Sequence, residues 1–204
     1  MAISTAIDSP PRAAIFRPAL VCLVALSVLT GLLYPLATTG VASLAFPQQR
    51  TGSLIERNGV VVGSSLIGQA FSTPDYFWSR PSATAPMAYN AAASGGSNLG
   101  PSNPVLAQAV QARVAALRAA DPGNLAPIPV DLIAASASGL DPHISPAAAQ
   151  FQAARVARAR GLPLTDVQNA IAAHTETPLL AILGEPKVNV LTLNLALDRM
   201  APPK

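Results

Sequence analysis

The longest apolar segment of the chain lies near its N-terminus, where no charged residue occurs between Arg17 and Arg50. Its central run, residues 18–46, reads PALVCLVALSVLTGLLYPLATTGVASLAF. About 20 helical residues, at roughly 1.5 Å each, cross a hydrocarbon layer of roughly 30 Å. The pattern therefore predicts a membrane-anchor helix over residues 15–45, with a tail of residues 1–14 before it and one domain, residues 46–204, after it.

A cleaved signal peptide is the alternative interpretation of this run. Such a peptide has an apolar region of about 7 to 15 residues followed by a small-x-small cleavage site, and Ser43-x-Ala45 fits such a site. The uninterrupted length of the run favours a retained anchor, in which Pro35 is predicted to kink the helix.

The distribution of arginines predicts the orientation of the anchor. Arg12 and Arg17 precede the span closely, whereas Arg50 and Arg57 follow it at a greater distance. Positive charge next to a span favours the cytoplasmic side, so we expect a cytoplasmic N-terminus and an extracytoplasmic domain. Because Cys22 lies in the span, that domain has no cysteine and depends on packing alone.

Short strands are predicted in the first part of the domain. In LIERNGVVVG, residues 54–63, Asn58-Gly59 lies between two apolar runs, which predicts a hairpin because both turn positions need positive φ. SLIGQAF, residues 65–71, predicts a third strand, and PIPVDLIAASASGL, residues 127–140, predicts a strand that leads into a turn.

Helical periodicity dominates the rest of the domain. Asn103 and Pro104 begin a helix that reaches Asp121, and Ser145-Pro146 begins a second helix that Gly161 stops. Thr165-x-x-Gln168 predicts a capping box for a third helix that runs to about His174. Residues 187–198 fit both strand and helix periods, with helix slightly favoured. The predicted fold class is α+β: one N-terminal transmembrane helix followed by one compact extracytoplasmic domain.

Two turn-rich segments carry no regular pattern. Residues 72–90 contain Tyr76, Phe77 and Trp78, which indicate either a packed loop that covers the sheet or a contact patch for another protein. The next segment, YNAAASGGSNLGPSNP at residues 89–104, belongs to a longer stretch without charge between Arg80 and Arg113.

Composition and charge indicate a membrane-associated protein and exclude a nucleic-acid-binding one. Half of the chain is apolar and only 11% is charged, which is unusual for a soluble protein. Residues 46–204 carry 11 basic and 9 acidic residues without a basic cluster, so no electrostatic footprint for nucleic acid is present.

The familiar catalytic and metal-binding patterns are incomplete. After Gly95 and Gly100 a phosphate-binding loop would need a lysine, but Pro101 follows. The two histidines, His143 and His174, are far apart in sequence, so no metal site is predicted. These patterns disfavour an enzyme, and the alternative is a membrane-anchored extracytoplasmic hydrolase that uses Ser97, Asp141 and His143.

Four segments resemble one family. YFWSRPSA, YNAAASGGSNLGPSNP, VDLIAASASGLDPHISPAAAQFQAARVARARG and GEPKVNVLTLNLALD are similar to the C subunit of the bacterial Kdp-type potassium-transporting ATPase, and the similarity extends over residues 15–198.

The resemblance implies a non-catalytic accessory subunit in the bacterial inner membrane, with no cofactor of its own. Its implied partners are a potassium-selective channel-like subunit, a P-type ATPase subunit and a small membrane subunit, besides the lipid bilayer. The complex would use ATP, Mg²⁺ and K⁺. The family is also described as a catalytic chaperone that raises the ATP affinity of the pumping subunit.

The resemblance also implies two sets of site residues. Asn90, Ser97, Asn98 and Asn103 belong to a loop for docking or for lining the path by which potassium enters, since neutral oxygens replace part of a cation's hydration shell. The alternative role of Asn90, Asn98 and Asn103 is to cap turns and a helix. Asp141 and His143 are interpreted as turn or interface residues.

The second set consists of Gln152 and Arg155, which match residues for which nucleotide contact is proposed in the family. Because ATP is cytoplasmic and the domain is predicted to lie outside, we expect any effect on ATP affinity to be indirect.

Overall fold

The computed structural model describes residues 12–178 and 184–201 of the α+β chain. Its contacts divide the chain into an N-terminal unit, Met1–Gly52, and a domain, Ser53–Lys204.

The N-terminal unit is dominated by a long helix. It comprises α1 (Arg12–Val28), a π-helical turn (Leu29–Leu33) and α2 (Tyr34–Ala45). Within the described residues, Ala14–Ala45 is the one helix with the length and apolar composition of a membrane span, and none of it is buried by protein. Its 32 residues extend about 48 Å, more than a hydrocarbon layer requires.

Polar groups in this helix find their partners within the helix. Pro35 has no N–H to donate, and the π turn that precedes it lets the N–H of Tyr34 reach the carbonyl of Leu29. The Thr30 hydroxyl donates to the Leu26 carbonyl at 2.7 Å, as the Ser43 hydroxyl does to Thr39. Such internal pairing is what lipid requires, because the hydrocarbon offers no hydrogen-bond partner.

The predicted hairpin is confirmed. Strands β1 (Leu54–Arg57) and β2 (Val60–Ser64) pair antiparallel, with a register shift between Ile55 and Glu56. Asn58 and Gly59 have φ of 54° and 76°, as a two-residue turn with two positive φ angles demands.

The predicted helices of the domain are present. They are α3 (Pro104–Ala120), α4 (Pro146–Arg160), α5 (Leu164–Ala173) and α6 (Val190–Met200). Two of the predicted N-caps are also present: Asn103 accepts from the N–H of Val105, and Ser145 accepts from that of Ala148. Gly161 ends α4 with a φ of 70°.

A second small sheet lies in the C-terminal half of the domain. Its strands β3 (His143–Ile144), β4 (Thr175–Glu176) and β5 (Lys187–Asn189) are antiparallel in the order β3-β5-β4. The ambiguous segment 187–198 is therefore strand first and then helix, and Asn189 caps α6 by accepting from the N–H of Thr192 at 3.1 Å.

Two predicted strands are absent because contacts within the domain override the local pattern. In residues 65–71, the N–H of Gly68 donates to Leu140 at 2.9 Å and the Gln69 amide donates to Val62 at 2.7 Å, so the segment turns. In residues 127–140, Val130–Leu132 forms a 3₁₀ turn whose Asp131 accepts from the N–H of Ser145 at 2.7 Å.

The predicted capping box is wrong although its helix exists. Pro163 occupies the N-cap position of α5 and Thr165 lies inside the first turn. The fixed φ of proline is compatible with a helix start, which moves the beginning of the helix ahead of Thr165.

The core of the domain is formed by its helices and second sheet together with one aromatic side chain. Phe77, Val156, Val167, Val188 and Leu193 are each fully buried in one cluster. Phe77 therefore anchors the turn-rich segment to the core rather than to the hairpin.

Candidate functional site

Two side-chain amides hold the aromatic segment by its backbone. Gln152 of α4 accepts from the N–H of Trp78 at 2.9 Å and donates to its carbonyl at 3.1 Å. Asn194 of α6 does the same for Phe77, at 2.9 and 3.0 Å. Each amide replaces the pairing that a neighbouring strand would give, and we call Gln152 and Asn194 the amide clamp.

A buried guanidinium completes the α4 side of the amide clamp. Arg155 donates to the Gln152 oxygen at 2.7 Å and to the carbonyl of Pro74, and its guanidinium carbon lies 4.7 Å from the centre of the Trp78 ring. Burial lowers the pKa of Arg155 to about 10, so the group is still charged at neutral pH. The charged guanidinium of Arg155 therefore contacts the Pro74 carbonyl, the Gln152 amide oxygen and the face of the Trp78 ring.

A second buried arginine forms an ion pair beneath Tyr76. Arg160 donates to Asp198 at 2.9 Å and to the carbonyl of Asp75 at 2.6 Å. Asp198 also accepts from Arg57 at 2.9 Å and from the Tyr76 hydroxyl at 3.4 Å. Burial raises the pKa of Tyr76, and the nearby charge of Asp198 raises it further.

The amide clamp shows what the predicted nucleotide-linked residues do within the domain. Gln152 is 1% exposed and Arg155 is 4% exposed, and their hydrogen bonds go to each other and to the protein backbone. A nucleotide that used the Gln152 amide would have to displace the Trp78 backbone. A link of Gln152 and Arg155 to the nucleotide stays a prediction, and the bonds present give both residues a packing role.

The predicted site residues of the neutral loop, residues 89–104, fall into two groups. Asn90 and Asn103 cap a 3₁₀ turn and α3 by accepting from the N–H groups of Ala92 and Val105. Ser97 and Asn98 are exposed, and Asn98 has a φ of 51°. A docking or ion-path role for these four residues stays a prediction.

The neutral loop is packed against residues 136–139. The N–H of Gly95 and the Ser94 hydroxyl both donate to the carbonyl of Ser138, at 2.9 and 3.1 Å. The Ser82 hydroxyl donates to the carbonyl of Gly139 at 2.7 Å. Gly139 has a φ of 67°, and a Cβ there would lie 2.6 Å from a methyl group of Thr84 and 2.7 Å from the Gly95 carbonyl oxygen.

We expect Gly139→Ala to lower the free energy of unfolding by about 1 to 3 kcal/mol, because it combines an unfavourable φ with a backbone clash. Gly123→Ala is the matched control, since a Cβ at Gly123 would meet no atom within 4 Å. Denaturant unfolding of both variants measures the difference. Equal stabilities would contradict the tight packing of the loop.

Asp141 joins the predicted turn residue His143 to an arginine. One Asp141 oxygen accepts from the His143 N–H at 3.0 Å and lies 3.3 Å from the ring Nδ1, and the other accepts from Arg80 at 3.0 Å. Burial raises the pKa of Asp141, but the hydrogen bonds from His143 and the charge of Arg80 outweigh burial, and the net shift is downward. A persistent carboxylate therefore fixes this turn.

The geometry does not assemble the serine of the alternative hydrolase. Asp141 and His143 line an open cleft with Arg80 and Asp131, and Ser97 is not among its lining residues. Within the described residues, no hydrogen bond joins Ser97 to His143, and no group of three or more His, Cys, Asp or Glu side chains is placed to hold a metal ion.

Sequence reasoning missed Arg160, Asn194 and Asp198. A signal was present, because Asn194 and Asp198 are four residues apart in a helix whose neighbours Leu193 and Leu197 are apolar. Polar side chains at that spacing on a buried face need internal partners.

Comparison with known proteins identifies the family. The family model for the c chain of K⁺-transporting ATPases matches residues 16–199. A potassium-transporting ATPase KdpC subunit of Polaromonas naphthalenivorans is 66% identical over 188 residues, which cover 92% of this chain and 96% of that protein. KdpC subunits of Variovorax paradoxus and Ralstonia nicotianae are 66% and 61% identical, over 92% and 93% of this chain and 97% and 93% of their own lengths. The chain therefore belongs to the KdpC family, the c chains of K⁺-transporting ATPases.

Proposed function

We propose that this chain is a non-catalytic accessory subunit of an ATP-driven, high-affinity potassium uptake pump. The observation that carries the proposal is the family match over residues 16–199, which includes the apolar helix as well as the domain. In this proposal the helix anchors the chain in the bacterial inner membrane with its N-terminus in the cytoplasm. The domain then docks on the channel-like, P-type ATPase and small membrane subunits of the pump.

The internal bonding of the domain supports a scaffolding role. Gln152, Arg155 and Asp141 bind neighbouring groups of the domain itself, and Asn90 and Asn103 fix the neutral loop. Such bonds make the loop surface rigid, and a rigid surface loses little conformational entropy when another subunit docks on it. The catalytic residues would lie on another chain of the complex.

An effect on ATP affinity would be indirect under this proposal. A domain outside the cytoplasm has no access to cytoplasmic ATP, so it acts only by stabilising one conformation of the pumping subunit. A ligand or subunit shifts such an equilibrium by its differential affinity for the two conformations.

We expect a cysteine placed at the exposed Ser138 to react with a small membrane-impermeant maleimide in intact cells, because the domain is proposed to lie outside the cytoplasm. The background is Cys22→Ala, which removes the one native cysteine. Mass spectrometry of the purified chain measures the labelled fraction.

The matched control is Ser4→Cys in the proposed cytoplasmic tail, which we expect to react only after the cells are broken. Labelling of the Ser4 variant in intact cells, with none at Ser138, would show the opposite topology. The domain would then lie in the cytoplasm, where it has access to ATP.

A further inference from the structure

The neutral stretch begins and ends at an arginine, and both arginines line one cavity. Arg80 and Arg113 are separated by 32 uncharged residues in sequence, yet they share a cavity of about 250 Å³. Apolar side chains make up much of the remaining wall, among them Phe71, Trp78, Leu117 and Leu132. Among the described residues, the lining contains no acidic side chain.

The charge of Arg113 is not balanced by the part of the domain that the structure describes. Its Nη1 donates to the carbonyl of Ile133 at 2.9 Å, and no acidic side chain pairs with it in the described residues. Burial lowers the pKa of Arg113, as expected for a cation removed from water without a counter-charge. A guanidinium has five N–H donors, so most of them are available to a ligand.

Arg80 lines the same cavity and carries one buried donor without a partner among the described residues. Its Nη1 is bonded to Asp141 at 3.0 Å, but its Nε–H is buried and has no acceptor in the part of the chain that the structure describes. A buried donor without an acceptor is destabilising, and native structures contain few of them.

We propose that this cavity binds a short aliphatic carboxylate. Its oxygens would accept from the N–H groups of Arg113 that the Ile133 carbonyl does not use, and its hydrocarbon part would pack on Phe71 and Leu117. Planar guanidinium groups match carboxylate geometry, and an apolar surrounding strengthens the ion pair. The volume is below the roughly 300 to 1,000 Å³ of pockets for drug-sized ligands, which restricts the ligand to a short chain.

The carboxylate has two possible sources: a free small acid or an Asp or Glu side chain of another subunit. The chemistry is the same in both cases, because the group bound in the cavity is one carboxylate on a short alkyl chain. The inference rests on the cavity and its arginines and does not require the proposed function.

The test is the melting temperature of the full chain in mild detergent with sodium butyrate or sodium chloride at equal ionic strength. We expect butyrate to raise the melting temperature in a saturable way, because a ligand that binds the native state stabilises it. Arg113→Gln should abolish the rise. Arg118→Gln is the matched control, since Arg118 lies on the same helix, donates to the carbonyls of Asn124 and Ala126, and does not line the cavity.

Arg113→Lys keeps the charge but loses the planar fork, and we expect it to need a roughly ten-fold higher butyrate concentration for half of the effect. This variant provides the comparison if Arg113→Gln does not fold. Equal melting temperatures in butyrate and chloride for the native chain would overturn the proposal, as would an undiminished rise in Arg113→Gln.

The assembled complex distinguishes the two sources. If the cavity takes a free acid, butyrate stabilises the complex as it does the chain. If a partner's carboxylate fills the cavity, butyrate adds nothing to the complex, and a complex built with Arg113→Gln dissociates more readily than one built with Arg118→Gln.

Discussion

Asp198→Ala is expected to lower the free energy of unfolding of the domain by about 3 to 5 kcal/mol. The Asp198 side chain is 7% exposed and that of Arg160 is 0% exposed, and the two form an ion pair at 2.9 Å. Asp198 also accepts hydrogen bonds from Arg57 and from the Tyr76 hydroxyl. Removing the carboxylate leaves the Arg160 charge buried and without its counter-ion, which costs far more than the loss of a surface pair.

Urea unfolding of the full chain in detergent measures this loss. Trp78 is the one tryptophan of the chain and lies in the segment that the amide clamp holds, so its fluorescence reports directly on this region. Glu56→Ala, at an exposed carboxylate of β1, is the matched control and should change stability by about 0.5 kcal/mol or less. A loss below about 1 kcal/mol for Asp198→Ala would show that the buried pair does not hold the segment.

Deletion of residues 1–46 is expected to abolish growth at micromolar potassium while leaving the domain folded. The residues of the hydrophobic core all lie between Phe77 and Leu197, so the domain keeps its packing without the helix. Without the helix the chain is no longer anchored, because Ala14–Ala45 supplies the apolar surface that holds it in lipid.

The truncated chain is fused to a cleavable export signal. The measurements are growth at micromolar potassium and co-purification of the other subunits. The control replaces residues 15–45 with an unrelated apolar span of equal length in the same orientation. Restored growth with that span would assign the helix to anchoring alone. Normal growth of the soluble domain would contradict the need for a membrane anchor.

Local signals in the sequence predicted most elements correctly, because a few neighbouring residues determine them. Asn58-Gly59 fixes the hairpin, Asn103 and Ser145 fix helix starts, and Gly161 fixes a helix end. The two strand predictions that were wrong concern segments whose backbone conformation depends on hydrogen bonds to residues farther along the chain. Gly68 bonds to Leu140, and Asp131 bonds to Ser145.

The site residues follow the same division. Capping by Asn90 and Asn103 was foreseeable, since each bonds two residues ahead. The amide clamp was not, because Gln152 and Asn194 reach partners 74 and 117 residues away in sequence. The uncharged stretch was visible from the start, but only the fold shows that Arg80 and Arg113 at its ends share a cavity.

The accessory role is tested most directly by potassium-stimulated ATP hydrolysis of the complex that co-purifies with this chain from potassium-starved cells. Our account predicts that a P-type ATPase subunit and a channel-like subunit come with the chain. It further predicts that hydrolysis is lost when the chain is omitted and is retained in His143→Ala. A chain that purifies alone, with a hydrolytic activity of its own that His143→Ala abolishes, would contradict the account.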